Sequence, residues 1–183
     1  MKYYELMIAG TGGRGVLLIG RLLARAGMDK YKHLLFFPNY APAMRGGESE
    51  CTIILSDSHI GCSVKYKPEY AIAMTGSALT LMENRIKPGG SIIVDSSITS
   101  DKVARDDINT FYIPATEKAV DLGGNQAANM VLLGSYIENT KAIPLNLVEK
   151  ALDNMLQDKS KSAILNLNKE ALNEGAKLMA QYQ

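Results

Sequence analysis

A glycine-rich turn, Gly10-Thr11-Gly12-Gly13-Arg14-Gly15, sets the architecture of this 183-residue chain. It follows the apolar run 3–9 and precedes a helix-like stretch, 16–26. In this order, strand, turn and helix form an anion cradle, because the N–H groups of the turn and the positive end of the helix dipole converge. The pattern predicts an α/β fold with an anion site over residues 10–15.

The first, third and sixth residues of the turn also match the G-x-G-x-x-G spacing of dinucleotide-binding folds. Those folds place an acidic residue at the end of the second strand, about 20 residues further on. Here the second apolar run, 34–37, ends in Pro38-Asn39-Tyr40, and Asp29 lies before it. Three interpretations stay open: a phosphate or carboxylate site, a NAD or FAD site, and glycines that only allow close packing.

Strand-like and helix-like runs alternate along the chain, which predicts a Rossmann-like, open, mostly parallel sheet with helices on both faces. We expect a single domain over 1–183, an antiparallel hairpin, and a helical C-terminal third in which helix 127–138 has one apolar stripe. Gly175 is expected to permit close approach to another element. The predicted strands are 3–9, 34–37, 51–55 with a hairpin return at 59–62, 70–74, 91–95 and 110–113. The predicted helices are 16–26, 78–85, 116–122, 127–138, 145–156 and 162–182.

A second candidate site lies in the long loop 37–49, which carries Arg45-Gly46-Gly47. A guanidinium beside exposed glycine amides suits phosphate or carboxylate. Loop and turn both follow strands of the predicted parallel sheet, so they are expected at the same edge. Alternatively, Arg45 pairs locally with Glu48 or Glu50. A third polar cluster, Gly123-Gly124-Asn125-Gln126 followed by Asn129, is expected to reach the same crevice; alternatively, Asn125 caps the helix that follows it.

Composition narrows the function classes. The formal net charge is +1, which gives no electrostatic basis for nucleic-acid binding. No apolar run approaches the length of a membrane span and no signal-peptide pattern appears, so we expect a cytoplasmic protein. Cys51 and Cys62 lack a C-x-x-C pattern and are expected to be buried strand residues; His33 and His59 are expected at strand ends or on the surface. No metal site is predicted.

Several motifs recur together, in this order, in one known family. The chain resembles the gamma subunit of 2-oxoacid:ferredoxin (acceptor) oxidoreductases, the pyruvate/ketoisovalerate oxidoreductase gamma-domain family, over nearly its whole length. The stretch 37–49 is most similar to free-standing gamma subunits of 2-oxoglutarate enzymes. The motifs are the glycine turn, Arg45-Gly46-Gly47, Pro68-Glu69-Tyr70, Lys87-Pro88-Gly89-Gly90 and Asn129-Met130-Val131-Leu132-Leu133-Gly134.

The resemblance implies a noncatalytic subunit of a complex that converts a 2-oxoacid and coenzyme A to acyl-CoA, carbon dioxide and two electrons for ferredoxin or another acceptor. It places thiamine diphosphate, magnesium and iron–sulfur clusters on alpha, beta and delta-type partners, with no cofactor bound tightly here. The glycine turn, with Arg45 nearby, would then hold coenzyme A or only shape the fold. Where the family commonly has Gln, this chain has Arg14, which adds charge to the cradle or pairs with a partner. The isolated chain is expected to be inactive and able to form a homodimer.

Overall fold

A computed structural model describes residues 2–40, 47–61, 67–156 and 162–182. The strands in this part of the chain are β1 (Tyr3–Thr11), β2 (His33–Tyr40), β3 (Glu48–Ser56), β4 (Tyr70–Ala73), β5 (Ser91–Asp95) and β6 (Asn109–Ile113). The helices are α1 (Val16–Gly27), α2 (Gly76–Glu83), α3 (Ala115–Asp121), α4 (Ala128–Thr140), α5 (Leu145–Met155) and α6 (Ser162–Ala180), with a 3₁₀ turn at Asn125–Ala127 before α4. Among these helices, none is long and apolar enough to cross a bilayer.

The strands form one six-stranded sheet in the order β2-β3-β1-β4-β5-β6. Strands β1, β4, β5 and β6 are mutually parallel, whereas β3 lies antiparallel to both of its neighbours, β1 and β2. Strand β2 therefore runs in the same direction as β1. The predicted mostly parallel α/β sheet is confirmed, and the turn after β1 and the loop after β2 leave the same edge.

The predicted hairpin return at 59–62 is wrong in its described part, because residues 59–61 form no strand. The antiparallel partners of β3 are β1 and β2, which pair with it from Glu48 to Ser56 and from Ser49 to Ser56. Both edges of β3 are thus already hydrogen-bonded, and no edge is left for a return strand. Cys62 lies outside the described residues.

Helices cover both faces of the sheet. The larger core lies where α1, α4 and α6 pack against one face, around Ile8, Ile53 and Ile72. A smaller core lies on the opposite face, where α2 packs on Met7, Ala73 and Val94. Because both faces of the parallel strands are buried, the sequences of these strands are continuous hydrophobic runs.

Helix α4 is buried on all sides, so the prediction of a single apolar stripe is wrong. Every residue from 128 to 137 is buried, including the polar Asn129 and Ser135. The sheet covers one side of the helix and α6 covers another, and a helix enclosed in this way needs no polar face.

Helices α4 and α6 cross with their backbones in direct contact. A Cβ added at Gly134 would overlap the carbonyl oxygen of Leu172, and one added at Gly175 would overlap that of Val131. The Ser135 hydroxyl lies at the crossing and donates toward the carbonyls of Val131 and Gly175, each at 3.0 Å. The close approach expected at Gly175 is confirmed, and it fixes α4 firmly under the sheet.

Replacing Gly175 by Ala is expected to destabilise the protein by about 1–3 kcal/mol or more, because the added methyl forces the two helices apart. A loss of stability would be opposite to the effect of helix propensity alone, because Ala inside a helix otherwise stabilises the protein by roughly 1 kcal/mol relative to Gly. Urea unfolding measures the change. Gly61→Ala is the control, because an added Cβ there meets none of the described atoms within 4 Å. Equal stability of the two variants would contradict the close crossing.

Candidate functional site

The turn between β1 and α1 adopts the conformation of an anion cradle. Gly13 and Gly15 have φ angles of 92° and 79°, which only glycine adopts without strain. The Gly15 carbonyl accepts from the amides of Leu18 (3.0 Å) and Ile19 (3.1 Å) and so starts α1. Within the described residues, the amides of Gly13 and Gly15 donate to no backbone carbonyl. They are available to an anion at the positive end of the helix.

A cleft of about 470 Å³ opens beside this turn. It lies between β1 and β4. The sheet continues on one side of this point through β3 and β2, and on the other side through β5 and β6. In open α/β sheets, ligands bind at this switch point, outside the carboxyl ends of the strands. The cleft is lined by Thr11, Gly12, Gly13, Arg14, Met74, Asp95, Asn125, Gln126, Ala128, Asn129 and Leu132.

Asn129 joins the buried helix α4 to the glycine turn. Its side chain is only 5% exposed and its amide nitrogen packs so closely on Gly15 that a Cβ there would overlap it. No described group donates to its buried Oδ1. The motif beginning at Asn129 therefore matters for the site as well as for the core. Asn129 thus lies at the crevice together with Asn125 and Gln126 of the polar cluster.

The glycines of the turn have different structural roles. An added Cβ at Gly10 would lie 2.8 Å from the Met74 Cβ, so this glycine lets β1 and the end of β4 approach each other. An added Cβ at Gly13 would meet no described atom within 4 Å, and one at Gly15 would meet Asn129. Close packing thus accounts for Gly10, whereas the amides of Gly13 and Gly15, which donate to no described backbone carbonyl, are suited to an anion.

Gly47, the residue before β3, lies beside the glycine turn. The Gly12 amide donates to the carbonyl of Gly47 at 3.0 Å. Arg45 and Gly46 lie outside the described residues, so their role in the site stays a prediction. In the alternative, Arg45 pairs with Glu48 or Glu50. Glu50 already forms an ion pair with Arg85, at 2.7 Å.

Asn125 lies in the 3₁₀ turn and lines the cleft. The alternative that it caps the following helix is wrong, because Ala127 occupies that position and α4 has no side-chain cap. The chain reaches the cleft through a short 3₁₀ turn, which brings Asn125 and Gln126 together at the entrance. Two cleft residues outside the predicted set, Met74 and Asp95, follow or end parallel strands, and that position was the signal that could have identified them.

Asp95 forms a wall of the cleft and is itself fully bonded to the protein. Its Oδ1 accepts from the amides of Ser97 and Thr116, both at 3.2 Å, and its Oδ2 accepts from the Thr116 hydroxyl at 2.6 Å. The carboxylate is 2% exposed. Asp95 therefore anchors the start of α3 to the end of β5.

Cys51 and the histidines occupy the predicted kinds of position. Cys51 is buried in β3, and burial, with Glu50 nearby, raises the pKa of its thiol to about 12. A thiol with so high a pKa is not a nucleophile at neutral pH. His33 begins β2 and its ring lies 5.8 Å from that of His59. Within the described ranges, no three His, Cys, Asp or Glu side chains gather as metal ligands.

The dinucleotide interpretation fails on geometry as well as on sequence. Strand β2 ends at Tyr40, and Asn39 rather than an acid occupies its carboxyl end. Asp29 lies before β2, 3.9 Å from Lys150 of α5, away from the cleft. The ribose hydroxyls of NAD or FAD would have no carboxylate at the expected position.

Comparison with known proteins assigns the chain to a family. A family model described as pyruvate ferredoxin/flavodoxin oxidoreductase matches residues 5–178. The chain belongs to this oxidoreductase family. The 2-oxoglutarate synthase subunit KorC of Methanothermobacter marburgensis is 32% identical over 157 residues, covering 82% of this chain and 84% of KorC. These matches identify a gamma subunit of the 2-oxoacid:ferredoxin oxidoreductase type and do not favour a stand-alone NAD or FAD enzyme.

Solved structures share the fold. The keto/oxoacid ferredoxin oxidoreductase gamma subunit of Geobacter sulfurreducens superposes with a TM-score of 0.83 at 26% identity, over 97% of this chain and 99% of that one. The 2-oxoglutarate:ferredoxin oxidoreductase of Magnetococcus marinus, solved with 2-oxoglutarate, coenzyme A and succinyl-CoA, gives a TM-score of 0.89 at 23% identity, over 99% of this chain.

Some members of the family are much longer. The chain spans 32% of the Magnetococcus chain and 27% of the ketoisovalerate oxidoreductase subunit VorA of Methanothermobacter marburgensis, to which it is 32% identical over 130 residues. The same fold therefore occurs both as a separate subunit and as one part of a longer polypeptide.

The contact between Asn129 and Gly15 predicts a difference between two neighbouring glycines. Gly13→Ala introduces only the strain of a positive φ, about 1–2 kcal/mol. Gly15→Ala adds an overlap with Asn129 and is expected to cost more. Adding Asn129→Ala should restore part of the stability of Gly15→Ala and none of that of Gly13→Ala, as measured by a double-mutant cycle in urea. Simple additivity in both pairs would contradict the contact.

Proposed function

We propose that this chain is a noncatalytic gamma subunit of a thiamine-diphosphate-dependent oxidoreductase that acts on 2-oxoglutarate. The complex would convert 2-oxoglutarate and coenzyme A to succinyl-CoA and carbon dioxide and pass two electrons to ferredoxin or another acceptor. Similarity to KorC over most of both chains supports this substrate. The family match supports the reaction class.

The role proposed for this chain is to bind and present coenzyme A. One observation carries the proposal: the positive-φ residues Gly13 and Gly15 stand at the N-terminus of α1, and Gly13 lines the 470 Å³ cleft. Phosphate groups bind well to such amides, because the helix dipole and the N–H groups act together. Arg14 lines the same cleft and adds a positive charge. Gly10 and Thr11 hold the turn in place, and Arg45, Gly46, Gly47 and Asn125 complete the proposed site.

The chemistry is assigned to partner subunits. Alpha, beta and delta-type chains are proposed to hold thiamine diphosphate, magnesium and the iron–sulfur clusters. We propose that the complex works in the cytoplasm without nucleic acid and that the isolated chain forms a homodimer. Large apolar side chains that are exposed here, among them Leu18 of α1 and Phe37 of β2, support contact with other chains.

Reconstitution tests the proposal. The purified chain is expected to show no 2-oxoglutarate oxidation, and adding it to its partner subunits should restore coenzyme A-dependent reduction of the acceptor. In the assembled enzyme, Arg14→Ala should raise the KM for coenzyme A by about tenfold and leave kcat unchanged, because it removes one charge from ground-state binding.

Arg21→Ala is the matched control, since Arg21 is an exposed arginine of α1, the helix that follows the turn, and lies outside the cleft. Its KM should equal that of the parent enzyme. Activity of the isolated chain would overturn the subunit assignment. An unchanged KM for coenzyme A in Arg14→Ala would indicate that this chain has only a structural role in the complex.

A further inference from the structure

Helix α1 carries a line of exposed residues opposite its buried face. The line consists of Leu18, Arg21, Arg25 and Met28, the residue that caps the helix. At about 3.6 residues per turn, these positions fall within an arc of about 80° and extend over about 15 Å. The buried residues of the same helix pack into the larger core. We call the four exposed residues the α1 stripe.

The positive charge of the α1 stripe is not compensated by nearby acids. The sequence contains no acidic residue between Glu5 and Asp29. The ion pairs formed among the described residues use other basic side chains, so neither Arg21 nor Arg25 pairs with a carboxylate in this part of the chain. A guanidinium group binds a carboxylate through two parallel hydrogen bonds and suits ion pairs between chains. Both arginines are therefore available to carboxylates of another molecule.

A groove of about 360 Å³ adjoins the C-terminal end of the stripe, between α1 and α5. Arg25 and Met28 line it from the α1 side, and Leu147 and Lys150 line it from α5. Asp29 also lines the groove and lies 3.9 Å from Lys150. Met28 is 72% exposed, a large fraction for an apolar side chain. Arginine and methionine are both enriched in protein interfaces, so this end of the stripe has the composition of a protein-binding surface.

Charge decides which kind of molecule fits the stripe. A second copy of this chain, bound here about a two-fold axis, would present the same patch to itself and bring the arginines of both copies together. Like charges in an interface are unfavourable. Nucleic acid would satisfy the arginines but leave Met28 without an apolar partner, and the net charge of the chain is only +1. A protein surface that combines carboxylates with an apolar side chain matches both features.

We propose that the α1 stripe is the docking surface for one partner subunit of the complex, which binds through Asp or Glu carboxylates placed beside an apolar side chain. The inference rests on the proposed function and deepens it, because it names the surface by which the chain enters the complex and the chemistry of its partner. Leu18 also lines a small recess next to Gly13 and Gly15. The docked subunit therefore stands beside the glycine turn.

Reconstitution of the complex at increasing concentrations of the full chain tests the inference. Arg25→Glu should raise the chain concentration that gives half-maximal activity by about tenfold or more, because a reversed charge then faces the carboxylates of the partner. Met28→Ser should raise it by about fivefold, because an apolar contact is lost. At saturating chain concentration, these variants and Arg21→Ala should keep the parent KM for coenzyme A, since the stripe lies outside the cleft.

Lys177→Glu is the matched control, because it makes the same change of charge at a side chain that is 73% exposed on α6. Its half-maximal concentration should equal that of the parent chain. Added salt should weaken assembly of the parent chain more steeply than that of Arg25→Glu, since salt screens the attraction that the variant has lost.

Equal half-maximal concentrations for Arg25→Glu and Lys177→Glu would overturn the inference. Should Arg25→Glu fail to fold, an unchanged value in Met28→Ser would overturn it instead. Binding of the parent chain to duplex DNA that is lost in Arg25→Glu would assign the stripe to nucleic acid and also overturn it. If the parent chain restores no activity to its partner subunits, the proposed function fails; if it does and only the stripe variants match the control, the inference alone fails.

Discussion

The contact between the Asn129 side chain and the backbone of Gly15 is the interaction on which the site depends. It ties α4, the most deeply buried helix, to the turn that begins α1. Position 15 requires glycine for two reasons. Its φ angle is positive, and the side-chain amide of Asn129 occupies the space that a Cβ would need. The same contact holds the free amides of the turn at the edge of the cleft.

The contact between Asn129 and Gly15 depends on the position of α4. The helix is held by the sheet on one side and by the Gly134–Gly175 crossing with α6 on another, where Ser135 bonds across to α6. A core packed this closely transmits displacement, since it has few voids to absorb it. Packing far from the cleft and ligand binding at the cleft are therefore parts of one arrangement, in which Asp95 holds the opposite wall in place.

Sequence patterns predicted the parallel part of the sheet because its strands are continuous apolar runs; Ser91–Asp95 is observed with the predicted bounds. They failed where long-range pairing decides the outcome. Nothing local reveals that β3 inserts between β1 and β2, and so a return strand was expected at 59–62. The glycine turn was identified from local spacing. The sequence also pointed to Asn129 near the crevice, but its contact with Gly15 was not predicted, because the two residues are more than 110 positions apart.

The family assignment rests on most of the chain, whereas the cradle rests on two backbone amides, and these are directly observable. The most direct test follows the ¹H–¹⁵N resonances of the full chain during titration with coenzyme A. The amides of Gly13, which lines the cleft, and of Gly15, at the start of α1, should shift downfield with a common dissociation constant, while those of Gly61 and Gly89, which lie outside both the cleft and the glycine turn, stay in place. Binding that leaves the Gly13 and Gly15 resonances unmoved would contradict the account.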